Sequence, residues 1–200
     1  MIAIIDYGMG NLFSVKNALE YLGEKPLITR DAAELEKADA MILPGVGAFP
    51  DAMRELDESG LTGEVKRQAA KKPLLGICLG MQMLFETGNE FEKCSGLGLI
   101  PGYVDKIPAK GLKIPHMGWN SLEFSGTCPL VEGVPQGAYV YFVHSYMAFA
   151  EPQYVCAAVD YGCKVTALVS NGSVFGAQFH PEKSGETGLM ILRNFARLGR

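Results

Sequence analysis

Short runs of purely apolar residues alternate with amphipathic stretches through the first 78 positions of the chain. Ile2 to Ile5, Ala40 to Leu43 and Pro73 to Ile77 each read as a buried strand. Pro26 to Thr29 reads as a further short strand. Between them, Leu12, Val15, Leu19 and Leu22 recur at helical spacing and predict a helix over 12–22, ended by Gly23. Asp31, with Glu34 three residues on, has the form of a capping box opening a second helix. Pro50 opens a third, with Met53 and Leu56 turned inward and Gly60 at its end, and a fourth lies around Thr62 to Lys71. Regular strand–helix alternation predicts an α/β fold, a doubly wound and mostly parallel central sheet with flanking helices.

From Gly96 onward the pattern changes. Short β-rich runs separated by Gly and Pro occupy Leu97 to Ile100, Gly102 to Ile107, Ser121 to Phe124, Ala138 to His144, Tyr154 to Val159, Lys164 to Ser170 and Ser173 to Gln178. Several alternate apolar with polar residues, as half-exposed antiparallel strands do, so the C-terminal half is expected to be antiparallel and β-rich. A last helix over Thr187 to Leu198 presents Leu189, Leu192, Phe195 and Ala196 to the sheet. No linker interrupts the 200 residues, and one domain over 1–200 is expected.

Composition narrows the function classes. A formal net charge of −4 gives no reason to expect nucleic acid or an anionic membrane as partner. The N-terminal apolar run has no basic leader and is too short for a signal peptide, and no later run approaches the length of a membrane span. The five cysteines are irregularly spaced, with no Cys-x-x-Cys pair to suggest zinc or a redox dithiol. A reduced, cytoplasmic protein without metal or cofactor is the expectation.

The candidate chemistry centres on Gly76-Ile77-Cys78-Leu79-Gly80-Met81-Gln82. An apolar run, a cysteine flanked two residues to either side by glycine, and then Met81 to Glu86 without a helix breaker until Gly88 make a strand, a sharp turn and a helix. That is a nucleophile elbow with cysteine in the place of serine. A helix N-terminus favours thiolate over thiol. The alternative is a packing thiol, the ordinary fate of a cysteine in an apolar run.

A nucleophile needs a base, and there are three histidines: His116 in a turn-like segment (Ile114 to Asn120), His144 closing the run Tyr141 to His144, and His180 in His180-Pro181-Glu182. If the chain is extended at His180, residues two apart project to the same side, so Glu182 can fix the imidazole tautomer and leave the other nitrogen for Cys78. His116 and His144 read as structural. The loop Pro44-Gly45-Val46-Gly47 follows a strand expected beside the nucleophile strand, where its backbone N–H groups, with that of Leu79, could face an oxyanion. Gly8-Met9-Gly10 after the first strand invites a dinucleotide-binding reading, but Phe13 stands where the third glycine belongs.

Taken together, the elbow, Pro44-Gly45-Val46-Gly47 and Phe179-His180-Pro181-Glu182 resemble the triad (class I) glutamine amidotransferases, in order and spacing over essentially the whole length. Within that family the pattern is similar to the glutaminase subunits of imidazole glycerol phosphate synthases. Tyr7-Gly8-Met9-Gly10-Asn11, Met81 before Gln82, Pro115-His116-Met117-Gly118-Trp119-Asn120 and Phe142-Val143-His144-Ser145-Tyr146 carry that likeness. A pyridoxal phosphate synthase glutaminase would be expected to show Gly-Gly-Glu-Ser where this chain has Gly45-Val46-Gly47-Ala48.

The resemblance implies a flavodoxin-like fold, and Cys78, His180 and Glu182 as catalytic nucleophile, base and orienter acting on glutamine. It implies an oxyanion hole at Val46, Gly47 and Leu79, and substrate contacts from Gln82, Glu90, Ser145 and Tyr146. Glu90 also reads as an ordinary surface carboxylate. The implied partner is a cyclase subunit with a (β/α)8 barrel, which uses the ammonia to make imidazole glycerol phosphate and aminoimidazole carboxamide ribotide in histidine biosynthesis. Met9, Asn11, Met117, Trp119, Tyr139, Tyr141 and Lys183 are the candidate docking residues, large adaptable side chains of the kinds enriched at interfaces among them; Trp119 and the tyrosines could instead cap the core. The isolated chain is expected to be nearly inactive until the partner turns a peptide near Val46. The alternatives are a glutaminase serving another synthase, a stand-alone γ-glutamyl hydrolase, or an elbow-cysteine α/β protein with no such role.

Overall fold

A computed structural model describes residues 1–108 and 111–200. In chain order the N-terminal half comprises β1 (Ile2–Ile5), α1 (Leu12–Tyr21), β2 (Pro26–Thr29), α2 (Ala32–Lys37), β3 (Ala40–Gly45), α3 (Phe49–Glu58), α4 (Thr62–Ala69), β4 (Leu74–Cys78) and α5 (Leu79–Met83). There follow β5 (Phe85–Gly88), β6 (Cys94–Ser95), β7 (Ile100–Lys106), β8 (His116–Ser121), β9 (Glu123–Phe124), β10 (Tyr139–His144), β11 (Tyr146–Phe149), β12 (Val155–Asp160), β13 (Lys164–Asn171), β14 (Val174–Ala177) and α6 (Gly185–Leu198).

The central sheet has the order β2-β1-β3-β4-β14-β13-β12-β9. It is parallel from β2 to β14 and antiparallel beyond. The parallel strands are apolar on both sides because helices cover both. Ile2, Ile4 and Ile42 pack with Val15 and Leu19 of α1 and Ile191 and Phe195 of α6. Ala3, Ile5, Met41 and Leu43 pack on the other face with Leu35, Met53, Leu56 and Val65 of α2, α3 and α4. Fully burying each large aliphatic side chain contributes about 1.5–3 kcal/mol, so these two layers are the main source of stability. The antiparallel half adds two small sheets at the C-terminal edge of the parallel strands, the ribbon β10-β8 and the sheet β11-β7-β5-β6.

Several elements differ from the sequence expectation. The helix after Cys78 stops at Met83, and residues 85–88 form a strand although Met81 to Glu86 favour helix. Phe85 pairs with Ile100 and is fully buried there, a tertiary gain that overrides local propensity. Residues 116–120 are not a turn: β8 pairs with β10 along its whole length despite Gly118. The run at Leu97 becomes regular only at Ile100, and Ser121 to Phe124 is divided between β8 and β9 by the buried Leu122. The capping box is half formed. The Asp31 carboxylate accepts from the Ala33 N–H at 2.8 Å, while Glu34 holds Lys37 instead of reaching back. In α6, Leu189 is only half-buried, and Ile191 and Asn194 take inward positions.

Where β4 meets α5 the backbone comes close to its neighbours. A Cβ added at Gly80 would lie on the Leu43 carbonyl oxygen, and one at Gly76 would lie 2.5 Å from the Gly80 carbonyl oxygen. Gly80→Ala is therefore expected to lower unfolding free energy by about 2–4 kcal/mol. Gly63→Ala, in α4 with nothing within 4 Å of the added methyl, should leave it unchanged or raise it by up to about 1 kcal/mol. Denaturant unfolding of the two variants beside the parent checks the pair.

Candidate active site

Cys78 ends β4 and precedes α5, with φ 56° and ψ −113°. A non-glycine residue at positive φ is strained by about 1–3 kcal/mol, and here the strain turns the side chain out at the C-terminal edge of the sheet. Gly45 is in register with Cys78, so Val46 and Gly47 begin the loop immediately beside the sulfur. On the other side β14 pairs with β4, ending with Ala177 opposite Ile77, and the chain then reaches His180.

The His180 ring stands beside the Cys78 side chain in the wall of one cavity, and its Nδ1 lies 2.8 Å from Glu182 Oε1. The carboxylate therefore receives the Nδ1 proton and leaves Nε2 for the sulfur. The sequence pairing of these residues is correct, but its geometric rationale is not. Residues 181–183 form a 3₁₀ turn, with the Lys183 N–H bonded to the His180 carbonyl at 3.0 Å, so the carboxylate folds back under the ring instead of lying alongside it on an extended strand. The Glu182 side chain is wholly buried, and its Oε2 has no hydrogen-bond partner among the described residues. Burial alone would hold the imidazole neutral. The Cys78 sulfur and the Glu182 carboxylate outweigh it and raise the His180 pKa to about 9.

These groups open into a cavity of about 330 Å³ lined by Val46, Gly47, Cys78, Leu79, Gln82, Glu90, Pro115, Val143, His144, Ser145, Tyr146 and His180. Every proposed oxyanion and substrate residue is thus brought together. Glu90 Oε2 accepts from the Phe49 N–H at 2.8 Å, which anchors the only carboxylate among the described residues of the wall at the N-terminus of α3. Gln82 Nε2 donates to the Tyr146 carbonyl and to Gln178 Oε1, each at 3.0 Å. Gln178 is fully buried, and its Nε2 lies 3.9 Å from Cys78 Sγ. Sequence reasoning missed Gln178, although its place two residues before His180 on a predicted strand was a signal. It read His116 and His144 only as structural; they face each other across β8 and β10 with His116 Nδ1 2.9 Å from His144 Nε2. Among the described residues no group of three or more His, Cys, Asp or Glu could hold a metal ion.

The β8–β10 ribbon sorts its residues by face. Trp119 is opposite Tyr141 and Met117 opposite Val143, so these and Tyr139 share the outward side, while His116, Val140, Phe142 and His144 point in. Met117, Trp119 and Tyr139 are 61%, 56% and 59% exposed, too open to be core caps. Lys183 is exposed, and Met9 and Asn11 are half-buried on the loop after β1, with the Met9 methyl group against Gly47.

The family described as "Glutamine amidotransferase class-I" matches residues 3–198. The chain is 54% identical to "Imidazole glycerol phosphate synthase subunit HisH" of Bacillus cereus (strain G9842), over 98% of this chain and 93% of that protein. It is 53% identical to the protein of the same description from Bacillus mycoides (strain KBAB4), with the same coverage. Among solved structures, "Crystal structure of glutamine amidotransferase" superposes with a TM-score of 0.78 at 22% identity, covering 100% of this chain and 99% of that one. "Structure of PurLQS from Thermotoga maritima" gives 0.76 at 23% identity, covering 98% and 97%. These two likenesses speak to the fold. With a family match over nearly every residue and relatives above half identity, the strained cysteine and its buried histidine–glutamate pair acquire their context: the chain belongs to the class I glutamine amidotransferases.

Proposed function

We propose that the protein is the glutaminase subunit of an imidazole glycerol phosphate synthase, a single glutamine amidotransferase domain over residues 1–200, and that it makes ammonia for a separate cyclase subunit. The observation that carries the chemistry is Cys78 beside His180, itself bonded to the buried Glu182, in a cavity whose described lining holds one carboxylate, Glu90. The assignment to this synthase follows the names of the relatives, which call those proteins subunits of it.

In this reading Glu90 meets the α-ammonium group of glutamine, and Gln82 with the Ser145–Tyr146 backbone holds the α-carboxylate end. The side-chain amide then lies over Cys78. With its pKa near 9, His180 carries the proton in the resting site at neutral pH. The sulfur, whose proton His180 has taken, attacks the amide carbon, and the oxygen that becomes negative is received by backbone N–H groups at Leu79 and near Val46–Gly47. His180 gives its proton to the nitrogen, the C–N bond breaks and ammonia leaves, with a γ-glutamyl thioester remaining on Cys78. Neutral His180 then takes a proton from water, and the hydroxide attacks the thioester. Sulfur is expelled, glutamate departs and the charged pair is restored.

A barrel cyclase docking on the Met117–Trp119–Tyr139–Tyr141 face, with Lys183, Met9 and Asn11 at its margins, would cover the mouth beside Pro115 and Val143 and receive the ammonia out of bulk water. The positive φ of Gly47 (100°) beside exposed Val46 supports a loop peptide that the partner can turn.

Three outcomes test this reading. Cys78→Ala abolishes synthesis from glutamine in the reconstituted complex and leaves synthesis from added ammonium salt within about twofold; loss of both rejects Cys78 as nucleophile. Glutamate release by the isolated chain rises by roughly a hundredfold or more when the cyclase and its nucleotide are added, the scale of one oxyanion-hole donor coming into place. Equal turnover alone would point to a stand-alone γ-glutamyl hydrolase. The third concerns pH. The proton that His180 gives to ammonia is present below about pH 9 and is lost above it, so kcat falls on that alkaline side. Removing the carboxylate with Glu182→Gln takes away one group that raises this pKa. The limb should move to lower pH, and kcat should drop by roughly a hundredfold or more as the tautomer is released. Steady-state kinetics of the complex between pH 6 and 10 read both effects.

A further inference from the structure

Behind the cavity wall lies a line of buried hydrogen bonds that the mechanism above does not use. His144 Nδ1 is 2.7 Å from the Tyr146 carbonyl oxygen, and a carbonyl only accepts, so this nitrogen carries the proton. His144 is 6% exposed and burial lowers its pKa to about 4, so the ring is neutral and its Nε2 is a bare acceptor. The atom facing it at 2.9 Å, His116 Nδ1, must then be an N–H donor. His116 is 2% exposed, also lowered to about 4 by burial, and its own Nε2 is left to accept from Asn120 Nδ2 at 3.3 Å. Asn120 is not free to flip, because its Nδ2 also donates to the Asp160 carbonyl at 2.9 Å and its Oδ1 accepts from the Ser121 N–H at 2.8 Å. The His116 ring is clamped between Tyr161 and Phe142, with centroids 4.1 and 4.7 Å away.

The line therefore runs one way only, and it ends on the peptide that walls the cavity. The Ile107 N–H bonds the Ser145 carbonyl at 3.0 Å, so Tyr146 occupies a ladder position whose own N–H and C=O turn away from β7. β11 is the edge of its sheet, and among the described residues no strand pairs with it on that side. The Tyr146 carbonyl is held instead by two donors, His144 Nδ1 and Gln82 Nε2, and Gln82 continues through Gln178 to Cys78. We infer that His116 and His144 are positioning residues for glutamine, two imidazoles locked as Nδ1–H tautomers that fix the Ser145–Tyr146 peptide and Gln82 relative to the nucleophile. This rests on the glutaminase reading and adds to it a source of substrate registration outside the triad.

The test is made in the complex with the cyclase subunit, in which the unaltered protein must first turn glutamine over; if it does not, the glutaminase reading fails and not this one. His144→Ala is expected to raise KM for glutamine by about tenfold or more, as befits a buried carbonyl left short of a donor. His144→Asn, whose amide nitrogen takes the place of Nδ1, should recover most of that loss. His116→Phe keeps the stack but removes the donor and should raise KM in the same direction by a smaller factor. The second readout is the rate at which iodoacetamide alkylates Cys78, which needs the triad but not the Tyr146 wall; it should stay within about twofold throughout. A third is the histidine ring ¹⁵N spectrum, which should place the proton on Nδ1 of both His116 and His144 at neutral pH. The inference is overturned by an unchanged KM in His144→Ala, by an equal fall in alkylation rate and glutamine turnover (a merely structural role), by equal losses in the Ala and Asn variants, or by Nε2–H tautomers.

Discussion

The site depends on how closely the start of α5 approaches the end of β3. Gly45, Gly76 and Gly80 stand at that contact, and a single methyl at Gly80 would meet the Leu43 carbonyl. Because the backbones come so near, the chain leaves β4 in a turn that only a strained residue can complete, and that residue is Cys78. The strain is small beside the burial of Leu43, Leu74, Met81 and Phe85 in the same layer, each fully enclosed. The packed sheet thus holds the sulfur out of the relaxed backbone geometry at the edge where β3 and β14 deliver the oxyanion loop and the histidine.

The second constraint is electrostatic. A buried carboxylate and imidazole side by side contribute little to stability, since desolvating each charge costs several kcal/mol that their attraction only offsets. The cost is plain at Glu182, whose side chain is wholly enclosed while Oε2 has no partner among the described residues. An apolar pair of similar volume would serve the fold as well. What it could not do is keep a proton on His180 to a pH near 9, beside a sulfur that must attack and a nitrogen that must leave.

Much of this was legible in the chain because it is local. Four-residue apolar runs, Gly23 and Gly60 as stops, and glycines framing Cys78 are signals within ten residues of what they specify. The family motifs also pointed to Cys78, His180 and Glu182, which the fold brings to one end of the central sheet. What escaped was decided at a distance. Phe85 leaves the helical register because Ile100 offers it full burial. Residues 116–120 look like a turn, with Pro115 and Gly118 as punctuation, until β10 pairs with them. Gln178 meets Gln82 across 96 positions and His116 meets His144 across 28, and no periodicity announces either hydrogen bond. Even the His180–Glu182 pair, read correctly, is made by a 3₁₀ turn that the pattern did not predict.

The β8–β10 ribbon shows how two demands are met by one element. A ribbon of two strands is marginal by itself and must borrow stability from what it packs on. Its inward face does so through His116 between Tyr161 and Phe142, and through Phe142 against Phe179, 5.8 Å away on the segment that leads to His180. Its outward face, one residue out of phase, carries Trp119, open to solvent, beside half-buried Tyr141, with ring centroids 6.1 Å apart. If a cyclase covers that outward face, as proposed, the added burial falls on the same backbone whose other side presents His144 toward Tyr146 and bonds His180 through the Tyr141 carbonyl. The two-residue period of a strand would then be enough to tie docking to substrate registration, with no rearrangement larger than the stiffening of a ribbon.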